Sequence, residues 1–184
     1  MTKVTFITGN QGKADFLAKY VDYPVEHQKV DIDEIQSLNL SEVAEHKVRQ
    51  AYEVVGRPVL VEDVALVFEA LKDLPGPFIK WFEIAIGAEG ICRLLDGKSR
   101  KAAARVCMVY FDGHQLEFFD GQLEGRIANN PIGTNGFGFD PIFIPEGFDI
   151  TLAEMSDDQL QQNSLRTTTI YPELARFLHK LDKN

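Results

Sequence analysis

Residues 4–21 read VTFITGNQGKADFLAKYV: an apolar run, a glycine-bearing turn, then apolar residues at helical spacing. A buried strand over Val4–Thr8 that passes through Gly9–Gly12 into a helix over Lys13–Val21 is the unit from which α/β sheets are built, and it holds the chain to that class. Such a turn also aims backbone N–H groups and a helix N-terminus outward, where an anion can sit. Alone, the stretch equally suits an ordinary βα connection that happens to carry a lysine. It does not suit a Walker-type loop, because the glycines are too close together and Ala14 stands where the metal-binding hydroxyl belongs.

The remaining chain extends the pattern. A second strand is expected over Val25–Val30, then the acidic loop DIDEIQ, then a helix from Ser41, as N-cap, to Val54. PVLVED reads as a strand ending in the carboxylates of Glu62 and Asp63. KDLPGP forms a rigid turn before a helix containing Ile79, Trp81, Phe82 and Ile84. RKAAARVCMVYF and QLEFFDGQLEGRIA alternate as two long strands around Asp112-Gly113. The Gly-rich loop PIGTNGFGFDP, a short strand, an acidic segment and a helix over Pro172–Leu181 complete a mixed sheet with flanking helices.

The length of 184 residues fits one domain over residues 1–184, large enough to bury a core. A net charge of −9 disfavours polyanionic partners such as nucleic acid or an acidic membrane surface. Cys92 and Cys107 lie in apolar settings without CxxC spacing and read as reduced core residues. No signal-peptide pattern or membrane-length apolar run is present, so a cytoplasmic location is expected.

Acidic residues occur at two separate places: Asp31, Asp33 and Glu34 in one loop, Glu62 and Asp63 on a strand. Carboxylates from two elements, joined by phosphate oxygens and water, are what Mg²⁺ requires, although a single acidic loop residue is more often simply solvated. Asp63 stands out because apolar runs flank it. Lys80 beside Trp81 can reach a phosphate or snorkel to water. Phe137 and Phe139 around Gly138 can stack on a base or pack in a core. The dispersed histidines 27, 46, 114 and 179 show no metal-binding spacing, and no GxSxG is present.

Taken in order, TGNQGK at 8–13, VEDVAL at 61–66, LPGPFIKWF at 74–82, GxxxGRI at 121–127, GFGFDPIFIPEG at 136–147 and the following TLAEM resemble the inosine triphosphate pyrophosphatase family, from Phe6 to Arg166. The resemblance implies an elongated mixed sheet with two lobes and a central cleft, usually in a homodimer. It implies that Thr8, Gly9, Asn10 and Lys13, joined by Lys47 and Lys80, hold a triphosphate. Glu34 and Asp63 would hold Mg²⁺, for which Mn²⁺ can substitute, with Asp63 also orienting or activating the attacking water. Phe137, Gly138, Phe139 and Asp140 would line the base pocket, and Ser164 and Arg166 would close its recognition segment.

The implied activity is hydrolysis of deaminated purine nucleoside triphosphates such as ITP, dITP and XTP to the monophosphate and pyrophosphate, cleansing the nucleotide pool. One segment departs from the family pattern K-N-x-x-S-H-R. Leu160 and Leu165 replace its lysine and histidine, and Gln161 its asparagine. Two alternatives follow: a nucleotide-binding protein with little catalysis, or a pyrophosphatase of shifted base specificity.

Overall fold

The computed structural model describes residues 3–181. Its strands are β1 (Val4–Ile7), β2 (Val25–Gln28), β3 (Val59–Phe68), β4 (Pro75–Gly76), β5 (Lys101–Phe111), β6 (Leu116–Ile127) and β7 (Phe143–Pro145). The helices are α1 (Gln11–Val21), α2 (Leu40–Val55), α3 (Ile79–Arg93), α4 (Asp157–Asn163), α5 (Leu165–Thr169) and α6 (Tyr171–Leu181). The strands form one seven-stranded sheet in the order β2-β1-β3-β5-β6-β7, with β4 paired to β3. β1 runs parallel to β2 and β3, while β3–β4 and β6–β7 are antiparallel, so the sheet is mixed and flanked by helices, as expected.

The described residues divide into two compact units, one of residues 3–63, 106–121 and 169–181, the other of residues 64–105 and 122–168. In the first, Ala44, Val48 and Ala51 of α2 pack on Val59 and Val61 of β3 and on Cys107 and Val109 of β5. Helical spacing meets strand alternation there, because residues three or four apart share a helix face and residues two apart share a sheet face. On α6, Tyr171 lies against Phe16 and Tyr20 of α1, and Phe177 against Tyr110 and Phe119 of the strands. Both cysteines are free and buried, as read from the sequence. Burial, with a hydrogen bond to Asp120, pushes the Cys107 thiol well up, which makes it inert.

In the second unit, Leu66, Phe68, Ile79, Ile91, Leu95, Ala104, Ile142, Phe143 and Met155 are buried. The loop at 131–141 is stapled to the turn Leu152–Glu154. Thr134 and Asn135 N–H groups both donate to Ala153 O, Asn135 Nδ2 donates to Met155 O at 2.8 Å, and Thr151 Oγ1 donates to Ile132 O at 2.8 Å. Gly133 has φ +88°, and a Cβ there would lie 2.3 Å from the Ala153 carbonyl carbon, so only glycine fits.

Several boundaries differ from expectation. The α2 cap is Asn39, whose Oδ1 accepts the Ser41 N–H at 3.0 Å, so Ser41 lies inside the helix. α1 begins at Gln11 because Asn10 caps it. β3 does not stop at Asp63 but continues to Phe68, which places both carboxylates within the strand. α3 is broken at Gly87, whose φ of 67° is not helical. The acidic segment contains α4, which Ser156 and Gln159 open as a reciprocal capping box.

Candidate active site

The first unit carries the phosphate turn and the acidic groups. Thr8 Oγ1 accepts the Asn10 N–H at 3.1 Å, and Asn10 Oδ1 accepts the Lys13 N–H at 3.1 Å. These two bonds fix the turn through Gly9 and satisfy one of the N–H groups that a helix start leaves without an intrahelical acceptor. The positive end of the α1 dipole remains directed at the turn.

Strand alternation decides where the carboxylates point. Val59, Val61 and Asp63 share the β3 face that packs against α2, and Lys47 sits on the same α2 face as Ala44 and Ala51. Lys47 Nζ accordingly donates to Asp63 Oδ1 at 3.0 Å and to Glu34 Oε1 at 3.3 Å. Glu62 faces the other way and takes Lys13 of α1, Nζ to Oε1 at 3.1 Å, with a side chain only 3% exposed. Both expected phosphate-binding lysines of this unit are therefore held on carboxylates. Glu62 was missing from the expected site residues, although the alternation VLVED was the signal that would have separated its role from that of Asp63.

Burial raises the Asp63 carboxyl above its ordinary value, opposed by Lys47 and reinforced by the charges of Glu34 and Glu62. For Lys47, burial works against the charged ammonium, but Asp63 and then Glu34 outweigh it and the net direction is up. Asp63 Oδ2 is buried and takes no hydrogen bond from the protein. Asp31 and Asp33, neighbours of Glu34 in sequence, instead line a depression with Gln50 and Glu53. Among the described residues no three His, Cys, Asp or Glu side chains converge as a ready-made set of metal ligands.

The second unit carries the expected base-binding residues. Asp140 Oδ2 accepts the Phe137 N–H at 2.7 Å, which ties the loop around Gly138. Phe137 is 41% exposed, and the Arg166 guanidinium lies 4.9 Å from its ring centroid. Phe139 turns inward, 8% exposed and edge-on to Phe143, so it packs in the core. Ser164 Oγ contacts Thr167 Oγ1 at 2.9 Å. Leu165 is 3% exposed and belongs to the core. Within α4, Gln159 Oε1 accepts the Ser156 N–H and Asn163 Nδ2 donates to Gln159 O, which commits two of the amides nearest the departure. Lys80, at the exposed start of α3, lies 5.6 Å from the Trp81 ring centroid.

A model described as the Ham1 family matches residues 4–171. The chain is 42% identical to a dITP/XTP pyrophosphatase of Thermococcus kodakarensis over 180 residues, 96% of this chain and 97% of that one. It is 40% identical to inosine triphosphate pyrophosphatase 2 of Trypanosoma cruzi, covering 95% and 92% respectively. Among solved structures, the Ham1 protein of Staphylococcus aureus superposes with a TM-score of 0.83 at 26% identity, over 97% of this chain and 98% of that one. Ordered motifs, mixed sheet and near full-length relatives agree, and the chain belongs to the Ham1 family.

Proposed function

We propose that this chain hydrolyses deaminated purine nucleoside triphosphates, ITP, dITP and XTP, between the α and β phosphates, releasing a monophosphate and pyrophosphate and so cleansing the nucleotide pool. One observation carries the reading: a half-buried aspartate, Asp63, has one oxygen held by Lys47 and the other buried without a protein partner. The relatives named dITP/XTP pyrophosphatase and inosine triphosphate pyrophosphatase supply the substrate class.

Asp63 Oδ2 accepts a proton from the attacking water and orients it; burial raises the Asp63 carboxyl, which brings it nearer to a working base than a solvated aspartate. The capped turn at Thr8–Asn10, the α1 N-terminus and Lys13 bind the polyphosphate and stabilise charge on the departing pyrophosphate. The donor set fits Mg²⁺, with Mn²⁺ as a substitute. Asp63 and Glu34 are hard oxygen ligands sharing one lysine, and two carboxylates completed by phosphate oxygens and water suit an ion that keeps much of its hydration. When bound, the ion neutralises the polyphosphate and makes its phosphorus more electrophilic.

The exposed ring of Phe137 offers a stacking face for the purine, and Arg166, which only donates hydrogen bonds, favours a 6-keto over a 6-amino group. Ser164 and the loop at Gly138–Asp140 support that pair, while Phe139 contributes from the core. Lys80 is assigned to the phosphates.

We further propose a homodimer. Trp81 and Ile84 of α3, 59% and 68% exposed, are apolar surface that association would cover. No helix among the described residues is long and apolar enough to cross a membrane. The two free, buried thiols suit a reducing cytoplasm, and the net charge of −9 argues against nucleic-acid and membrane partners.

The test is pyrophosphate release from ITP, dITP, XTP, ATP and GTP with Mg²⁺ at mildly alkaline pH, with Asp63→Asn as control. Release from the three deaminated substrates that depends on Asp63 is expected. A folded protein that binds nucleotide and releases no pyrophosphate from any of them overturns the reading.

A further inference from the structure

We infer that Lys47 is a built-in counter-cation: it neutralises the Glu34–Asp63 pair while the protein is free of metal, and it leaves the pair when a divalent cation binds. The inference rests on the reading of this site as metal-dependent.

The ammonium lies 3.0 Å from Asp63 Oδ1 and 3.3 Å from Glu34 Oε1, and the Lys47 and Asp63 side chains are 17% and 16% exposed. Asp63 is the enclosed member and Glu34, 36% exposed, lies at the rim; two carboxylates sharing one ammonium repel each other and need a cation beside them. They carry −2 together, and Lys47 brings the group to −1. A divalent ion added with Lys47 still seated brings it to +1, with ammonium and ion competing for the same oxygens on the enclosed Asp63 side of the pair. A flexible four-carbon stem that keeps some access to water lets the ammonium withdraw instead. Withdrawal frees the carboxylate oxygens that the ammonium held, while Asp63 Oδ2, buried and without a protein partner, stays open to the attacking water.

The exchange orders the binding events. With no ion present, Lys47 is spent on carboxylates and the polyphosphate meets two negative side chains. Once an ion has loaded, the lysine is free for phosphate. The same side chain thus serves the empty site as counter-ion and the loaded site as phosphate ligand.

Calorimetric titration of Mn²⁺ or Mg²⁺ alone, without nucleotide, into the full chain and into Lys47→Met tests this. Methionine keeps the length of the aliphatic stem and removes the charge. The ion is expected to bind the variant at least tenfold more tightly, and to raise its melting temperature more than that of the parent. Equal or weaker binding overturns the inference. Where Lys47→Met fails to fold, mass-spectrometric footprinting of lysine acylation on the unaltered protein replaces it. Mg²⁺ alone should speed modification of Lys47 severalfold, and an unchanged or slower rate overturns the inference. Mg²⁺-dependent pyrophosphate release with Lys47 unmoved sinks the exchange alone, whereas no ion binding in either protein sinks the metal reading as well.

Discussion

Glu62 and Asp63 are consecutive on β3, face opposite sides of the sheet, and each holds a lysine from a different helix, Lys13 of α1 and Lys47 of α2. The two carboxylates therefore have separable roles. Asp63→Asn keeps the oxygen that accepts from Lys47 and removes only the charge and the basicity. It should lower turnover about a hundredfold or more. Because burial disfavours the ionised carboxylate, the melting temperature should stay level or rise. Initial rates together with a thermal melt check both halves, and a variant with most of its activity would remove Asp63 from the chemistry.

Glu62 acts on the turn through Lys13. Lys13→Met strips a lysine from a carboxylate that is 3% exposed, and the loss of that charged partner should cost about 1–3 kcal/mol of stability. Glu62→Gln retains an acceptor for Lys13 and should cost less. Both should raise KM for the triphosphate more than they change kcat, since they disturb binding and not the proton transfer. Urea unfolding and steady-state kinetics on the two variants test this ordering; a larger stability loss in Glu62→Gln than in Lys13→Met would reverse the assignment.

Arg166 and Phe137 form one unit, with the guanidinium 4.9 Å from the centroid of a ring that is 41% exposed. Removing either should lower kcat/KM for ITP by about 1–3 kcal/mol, roughly ten- to a hundredfold, and the two losses should not add. A double-mutant cycle of Arg166→Ala and Phe137→Ala on kcat/KM reads the coupling. Strict additivity would mean that the stacked arrangement has no bearing on the base. Arg166→Ala should also narrow the preference for ITP over ATP, since the guanidinium only donates and so discriminates a 6-keto from a 6-amino group.

How far the site was legible in the sequence depends on whether its signal was local. The βα turn at residues 8–13, the apolar strand ahead of Asp63 and the hairpin around Asp112 follow from periodicity and turn chemistry, and the structure has them. The continuation of β3 through Glu62 and Asp63 was not legible, because charged residues inside a strand normally mark its end; two lysines supplied by helices in the same unit override that rule. The inward turn of Phe139 and outward turn of Phe137 were equally hidden. Both are aromatics in one glycine-rich loop without periodicity to separate them; in the structure Phe139 packs edge-on to Phe143 and Phe137 lies against Arg166. α4 was missed although Ser156 and Gln159 stand at capping-box spacing, a signal that a composition-based reading of an acidic stretch passes over.

The hairpin gives a stability prediction independent of the site. Asp112 Oδ1 accepts the His114 and Gln115 N–H groups at 2.9 and 2.7 Å. Burial opposes ionisation there, but these bonds and the Tyr110 hydroxyl outweigh it and hold the carboxyl below its ordinary 3.8. Its stabilisation is therefore present above about pH 3.8 and is lost as pH falls through the lower folded value. Asp112→Ala should cost about 1 kcal/mol at neutral pH, an increment that shrinks in strong acid, with pyrophosphate release unchanged. Urea midpoints for parent and variant that run parallel from neutral pH into that range would refute it.

Lys47 gives the opposite signature at the alkaline end. Its pKa is raised above the ordinary 10.5 in the folded protein, because the pull of Asp63 and Glu34 exceeds the penalty of burial. A raised lysine contributes stability that is fully present below the unfolded value and is lost as pH rises through the folded one. The parent should therefore lose an increment of stability above about pH 10.5 that Lys47→Met never had, so the gap between the two narrows as pH climbs. Measuring urea midpoints of both proteins from about pH 9 upward decides it. If the gap stays constant across that range, the ammonium is not held by the carboxylates in the folded protein, and the ion pair that organises this face of β3 falls with it.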